Sequence, residues 1–131
     1  MTHQQENLRD KLKKGSELFK SAESLRCFIR ENEKIQAGAH DPDLQALIAE
    51  QNAELEIKYK ELINVRSKID RCIGTIENEE LKALMIMRYL GHDNTFAIAE
   101  KMYYGRNTIN RKHKAALDQI LQNHGERFLD Y

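Results

Sequence analysis

One hydrophobic pattern constrains this chain more than any other. From Ile48 onward, Ile48, Asn52, Leu55, Tyr59, Leu62, Arg66, Ile69, Ile73 and Ile76 recur in alternating steps of four and three. That is the heptad signature of a coiled-coil seam, sustained over four repeats. The only proline, Pro42, stands between Asp41 and Asp43 at the head of this stretch. Asp41 suits the N-cap, Pro42 the first helical position and Asp43 the positive end of the helix dipole. The spacing predicts a helix from Pro42 to about Ile76, roughly 50 Å long. Asn52 and Arg66 are polar seam members, the kind of residue that fixes register or oligomer state.

A second long helix precedes it. Leu8, Leu12, Phe19, Ala22 and Ile29 follow the same spacing between about Gln4 and Gln36, with Leu18 and Leu25 widening the seam. Gly15 and Arg26 also occupy seam positions, and Gly38 supplies a stop. The connection from Ala37 to Asp41 is short enough for an antiparallel hairpin. Such helices have apolar ridges wider than one partner covers, so a homo-oligomer is expected, most simply a two-fold dimer. Charged residues make up 32% of the 131, tryptophan is absent and the mean hydropathy is −0.72. That balance leaves a limited core and favours elongated helices over a globule.

Gly74-Thr75 interrupts the helical run, and Asn78 is a good cap for a third helix, Glu79 to Leu90, burying Leu81, Leu84, Met85 and Tyr89. Gly91 ends it. Asn94 or Thr95 caps a fourth helix closing at Met102, and a fifth runs from about Arg106 to Asn123. The fold class is therefore all-α. Residues 1–76 are expected to form a long helical hairpin, coiled and oligomerising, and residues 77–131 a small three-helix bundle containing a helix-turn-helix. The C-terminal GERFLDY is open to two readings, with Phe128 and Leu129 docked or frayed.

Charge points to the function of that bundle. The whole chain is neutral, with 21 basic and 21 acidic residues, yet no acid lies between Glu100 and Asp118. That interval holds Lys101, Arg106, Arg111, Lys112 and Lys114, with His113 beside them. A basic helix on a neutral chain implies contact with a polyanion, and DNA is the first candidate. Ile109, Ala116 and Ile120 form the buried stripe of the fifth helix, so Asn107, Arg111 and Lys114 point away from it, flanked by Arg106 and Asn110. Arginine and asparagine suit bidentate contacts with guanine and adenine edges. Arg106, Asn107, Asn110, Arg111 and Lys114 are thus expected to line the major groove of double-stranded DNA, with Lys101 and Thr95 nearer the backbone. Tyr103 and Tyr104 are expected to pack the turn, Tyr103 having the alternative of donating its hydroxyl to a phosphate.

The run RYLGHDNTFAIAEKMYYGRNTINRKHKAAL, Arg88 to Leu117, resembles the C-terminal module of phage late-transcription regulators of the RinA and ArpU type. Those in turn resemble region four of sigma factors. The resemblance rests on Arg88-Tyr89, Ile98-Ala99, Tyr104, Arg106, Thr108-Ile109, Arg111 and the closing Ala116-Leu117. It implies a phage-encoded regulator of late genes that works with RNA polymerase in the cytoplasm of a bacterial host. Two positions depart from the pattern. Gly105 stands where the family usually has a capping Ser or Thr, and Lys112 where it has an aliphatic residue. A lysine there can lay its stem on the core and send its ammonium outward.

Enzyme chemistry is poorly supported. The five histidines show no zinc-protease spacing, no glycine-rich phosphate loop is present, and His92-Asp93 are neighbours whose side chains diverge. No catalytic residue, metal site or cofactor is expected. Cys27 and Cys72 are far apart in sequence and read as reduced thiols. No apolar run reaches the ~18 residues of a membrane span, and no secretory signal segment is visible. Two other function classes compete. A terminase small subunit also joins a helix-turn-helix to long helices, but usually in the opposite order. A coiled-coil adaptor or antirepressor would use a degenerate helix-turn-helix to bind protein.

Overall fold

The computed structural model describes residues 1–131 and is all-α. Six α-helices follow one another: α1 (His3–Lys20), α2 (Ala22–Gly38), α3 (Pro42–Ile73), α4 (Glu79–Met85), α5 (Thr95–Met102) and α6 (Arg106–Gln122). A wide π-type turn, Ile86–Leu90, extends α4, and a 3₁₀ turn, Gly125–Phe128, follows α6. No helix is long and apolar enough to cross a membrane.

Local signals account for most helix starts. Thr2 and Gln5 form a reciprocal capping box at α1, each side chain accepting from the other's backbone N–H at 3.1 and 2.9 Å. Asp41 accepts from the Asp43 N–H at 3.0 Å, ahead of Pro42. Asn78 and Asn94 cap α4 and α5 by accepting from Leu81 and Ala97. The cap of α5 is therefore Asn94, not Thr95. The first long helix is interrupted at Ser21, a turn residue between α1 and α2 that keeps a right-handed helical backbone, φ −72° and ψ −13°. Its hydroxyl donates to the Leu18 carbonyl at 2.8 Å, a local bond that competes with the backbone ladder.

The chain divides into two compact units, residues 18–64 and residues 1–17 with 65–131. The expected division at residue 76 is not where these units part. The segment 65–76 and the first turns of α1 instead share a core with the C-terminal helices.

Residues 18–64 form a helical hairpin. Phe19, Ala22 and Ile29 from one arm and Ile48 and Leu62 from the other are buried, as their heptad positions predict. At its centre the Asn32 side-chain amide donates to Asn52 Oδ1 at 2.9 Å and to Gln51 Oε1 at 3.2 Å. The Asn52 amide donates in turn to the Ile29 carbonyl at 3.3 Å. The polar seam residue Asn52 thus fixes the register of the hairpin itself, since any slip would strand these amides in an apolar seam.

The other unit has a core built from α1, the end of α3 and the C-terminal helices. Leu12, Ile69, Cys72, Leu84, Met85, Ile98, Ile109, Ala116, Leu117 and Ile120 are fully buried. Arg66, expected in the seam, is exposed, although Leu62 and Ile69 on either side of it are buried. The Gln5 side-chain amide donates to Asp118, tying α1 to α6. The C-terminal tail docks. Leu129 is buried, the Tyr131 hydroxyl donates to the Lys11 carbonyl at 2.7 Å, and Lys68 pairs with Asp130 at 2.8 Å. Gly15 makes room for this, since a Cβ there would collide with the Tyr131 ring. Burial holds the Cys72 thiol up at about 12, and both cysteines are free.

Candidate nucleic-acid interface

Three helices set the geometry of the basic segment. α5 and α6 are joined by Tyr103, Tyr104 and Gly105, and they cross where Ile98, Ala99 and Ile109 are buried. Ala99 is small enough to allow that close approach. Tyr103 ends α5 in the left-handed region, φ 58°, and its N–H bonds back to the Ala99 and Glu100 carbonyls. The Tyr104 N–H bonds to the Ala99 carbonyl at 3.1 Å. Gly105 then stands at the N-cap of α6 without a side-chain cap, so the first N–H groups of α6 open onto a shallow groove lined by Arg106, Asn107, Thr108 and Asn110.

The sequence-predicted site separates into two groups. Arg106, Asn107, Asn110, Arg111 and Lys114 are all exposed on one face of α6 and have no hydrogen-bond or ion-pair partner within the chain. Lys101 and Thr95 are engaged elsewhere. Lys101 pairs with Asp93 at 2.6 Å, and the Thr95 hydroxyl accepts from the Arg88 guanidinium at 3.1 Å. Both therefore brace the loop before α5 instead of facing outward unpartnered.

Two further members of the cationic run are not free. Lys112 reaches back to Glu80 on α4 and lies 4.8 Å over the Tyr104 ring. The Tyr104 hydroxyl donates to the other Glu80 oxygen at 3.0 Å. The Lys112 ammonium, followed by the Tyr104 hydroxyl, lowers the Glu80 pKa, and the Glu80 carboxylate raises that of Lys112. Lysine at this position thus gains an acid and an aromatic partner in place of aliphatic packing. Nothing local to the basic helix announces Glu80, which lies 32 residues away in sequence.

His113 is not part of the basic face at all. It is 3% exposed and occupies the stripe one turn after Ile109. Its Nε2 shares a 2.7 Å hydrogen bond with the Tyr89 hydroxyl. Burial first, then the Arg88 and Arg9 charges, press its pKa down to about 3, so the imidazole is neutral. Burial likewise raises the Tyr89 phenol to about 12. The free cations of the face reduce to Arg106, Arg111 and Lys114, interleaved with two asparagines.

Two aromatic side chains near this face stand in solvent. Tyr103 is 94% exposed, so it does not pack the turn as expected, and Phe96 is 61% exposed. Tyr104 does pack, through Glu80 and Lys112.

Residues 29–121 match the sequence profile of the family described as "Protein of unknown function (DUF1492)". The chain belongs to this DUF1492 family. The matched stretch takes in most of α2, all of α3 to α5 and nearly all of α6, including every residue of the basic face. No curated protein and no solved structure matches the chain.

Proposed function

We propose that this DUF1492 chain is a sequence-specific double-stranded-DNA-binding transcription regulator that reads the major groove with α6. The observation that carries the reading is the outer face of α6, where Arg106, Asn107, Asn110, Arg111 and Lys114 stand exposed and unpartnered after a tight turn. Arginine and asparagine offer paired donors and acceptors to base edges, and the lysine neutralises a phosphate. The open N-terminus of α6 adds backbone N–H groups to the same side. Lys101 and Thr95 have a lesser part in this reading, because both already have partners. The resemblance of Arg88 to Leu117 to RinA and ArpU-type regulators extends the proposal to phage late genes and to a contact with RNA polymerase.

A second reading has its own support. The exposed Phe96 and Tyr103 beside the basic face suit a protein surface, as an adaptor or antirepressor requires. Substitution separates the two. A DNA fragment selected by the protein from phage genomic DNA serves as probe in fluorescence anisotropy. Arg111→Ala should weaken binding by about 1–3 kcal/mol and relax preference at one base pair. Lys114→Ala should weaken all sequences alike and lower the salt slope by about one unit. Asn110→Ala tests adenine readout. Indifference to all three substitutions would reject the regulator and favour the adaptor.

A further inference from the structure

The two ends of α6 are held by different means. Toward its C-terminal end the Gln119 side chain accepts from the Glu77 and Asn78 N–H groups at 3.3 and 3.4 Å, at the start of α4. The N-terminal end has no such tie to α4 backbone. The Tyr103 and Tyr104 N–H groups bond back to α5, through the Glu100 and Ala99 carbonyls. Gly105 has the extended backbone of an N-cap, φ −75° and ψ 161°, yet no side chain to close it. The first buried side chain of the helix is Ile109, so Arg106 and Asn107 project nearly a turn beyond the core.

Glu80 grips this end from both sides. One carboxylate oxygen accepts from the Tyr104 hydroxyl at 3.0 Å, one residue before the uncapped Gly105. The other accepts from Lys112, whose ammonium also lies over the Tyr104 ring. A helical side chain leans toward the N-terminus of its own helix, so Lys112 passes this hold to the turn that carries Thr108 and Ile109. Residues 104 and 112 thus bracket the stretch bearing Arg106, Asn107, Asn110 and Arg111. Glu80 stands on firm ground itself, in the first turn of α4, which Asn78 caps by accepting from the Leu81 N–H at 3.0 Å. A single exposed ion pair contributes little. Here one carboxylate joins two partners that also touch each other, and the three close into a ring.

We propose that Glu80 is a positioning residue: it replaces the missing N-cap side chain and sets the angle at which α6 presents Arg106, Asn107, Asn110 and Arg111 to base edges. The inference rests on the DNA-binding reading and adds to it a residue from outside the basic face. Two other roles predict different results. A carboxylate that merely offset the Lys112 charge would, once removed, leave the module more positive and raise its affinity for every duplex. One that merely complemented the α4 dipole would matter to α4 alone. Glu80 is exposed, so Glu80→Ala keeps the fold. Hydrogen exchange of the free full chain, read by NMR, should show the Ile109 and Asn110 amides losing about fivefold in protection in that variant. Adding Gly105→Ser should restore it, because a serine cap closes the end of α6 without touching α4. A Cβ at position 105 meets nothing within 4 Å. In the anisotropy assay Glu80→Ala should lose about fivefold in affinity for the selected fragment and none for an unrelated duplex. Unchanged protection, protection that Gly105→Ser does not restore, or equal or tighter binding of the selected fragment overturns the inference and leaves the DNA reading in place. A wild-type chain that binds no fragment removes the DNA reading, and the role of Glu80 in it, whatever the exchange shows.

Discussion

Acidification should loosen the core beneath the basic helix, and His113 sets the amount. Its imidazole is buried and neutral, with a pKa near 3 in the folded chain against 6.5 for a free histidine. Between those values the unfolded chain binds a proton that the folded chain refuses. The contribution of His113 is therefore complete above pH 6.5 and is lost progressively as the pH falls toward 3. At pH 5 the gap below 6.5 is about 1.5 units, which at 1.36 kcal/mol per unit is about 2 kcal/mol. That is a large share of the stability of an ordinary domain. The Tyr89 phenol, near 12, stays protonated throughout and does not titrate in this window. Glu80 and Asp130, both depressed by lysine partners, contribute losses only at lower pH. Urea titrations at pH 7.5 and 5.0, read at resolved amide NMR signals of α6, measure the change. The double variant Tyr89→Phe with His113→Leu removes both hydrogen-bonding partners together, so no buried polar group is left unpaired. It should lose most of the 2 kcal/mol dependence. An identical pH dependence in wild type and double variant would refute the reasoning.

Two other outcomes follow from the packing. A fragment of residues 78–131 should lack a cooperative thermal transition, because Leu12, Ile69, Cys72, Ile73 and Ile76 supply one wall of its core; a sharp melt by circular dichroism would contradict this. Tyr103→Gly should raise stability by about 0.5–1 kcal/mol, since glycine adopts φ 58° without strain and the tyrosine buries nothing. Chemical denaturation checks this, and a destabilised variant would mean that the ring holds the turn.

Much of the architecture was legible because it rests on local signals. The fours and threes from Leu8 to Ile29 and from Ile48 to Ile76 identified most of the apolar buried residues, though the seam positions Arg26 and Arg66 are exposed, and Asp41, Asn78 and Gly91 marked helix ends. Ser21 was missed because its hydroxyl competes for a carbonyl only weakly, and no proline or glycine marks the break. The expected boundary at Gly74-Thr75 was read from propensity. Yet the Asn123 amide donates to the Thr75 carbonyl at 2.6 Å, and a Cβ on Gly125 would come within 3.0 Å of the Cys72 carbonyl. Long-range packing binds that weak point into a core.

The outer face of α6 was readable from periodicity alone. Which cations on it are free was not. Lys112 and Lys101 are taken up by Glu80 and Asp93, acids that lie outside the acid-free interval. His113 looked like part of the basic run, but it sits four residues after Ile109 and belongs to the stripe. Spacing carried the right answer there, and residue type obscured it.

The central claim is that the free face of α6 engages double-stranded DNA. The most direct test is a binding titration of the full chain against phage genomic fragments, repeated from 20 to 200 mM salt. Of the free cations, Lys114 is assigned to a phosphate and Arg106 and Arg111 to base edges, so one bound module neutralises between one and three phosphates. The affinity should then fall with a log–log slope between about −1 and about −2.7 per module. Neutralising all three residues should abolish binding with the helical content unchanged. No binding to any fragment at the lowest salt, or binding that ignores those three residues, would contradict the account.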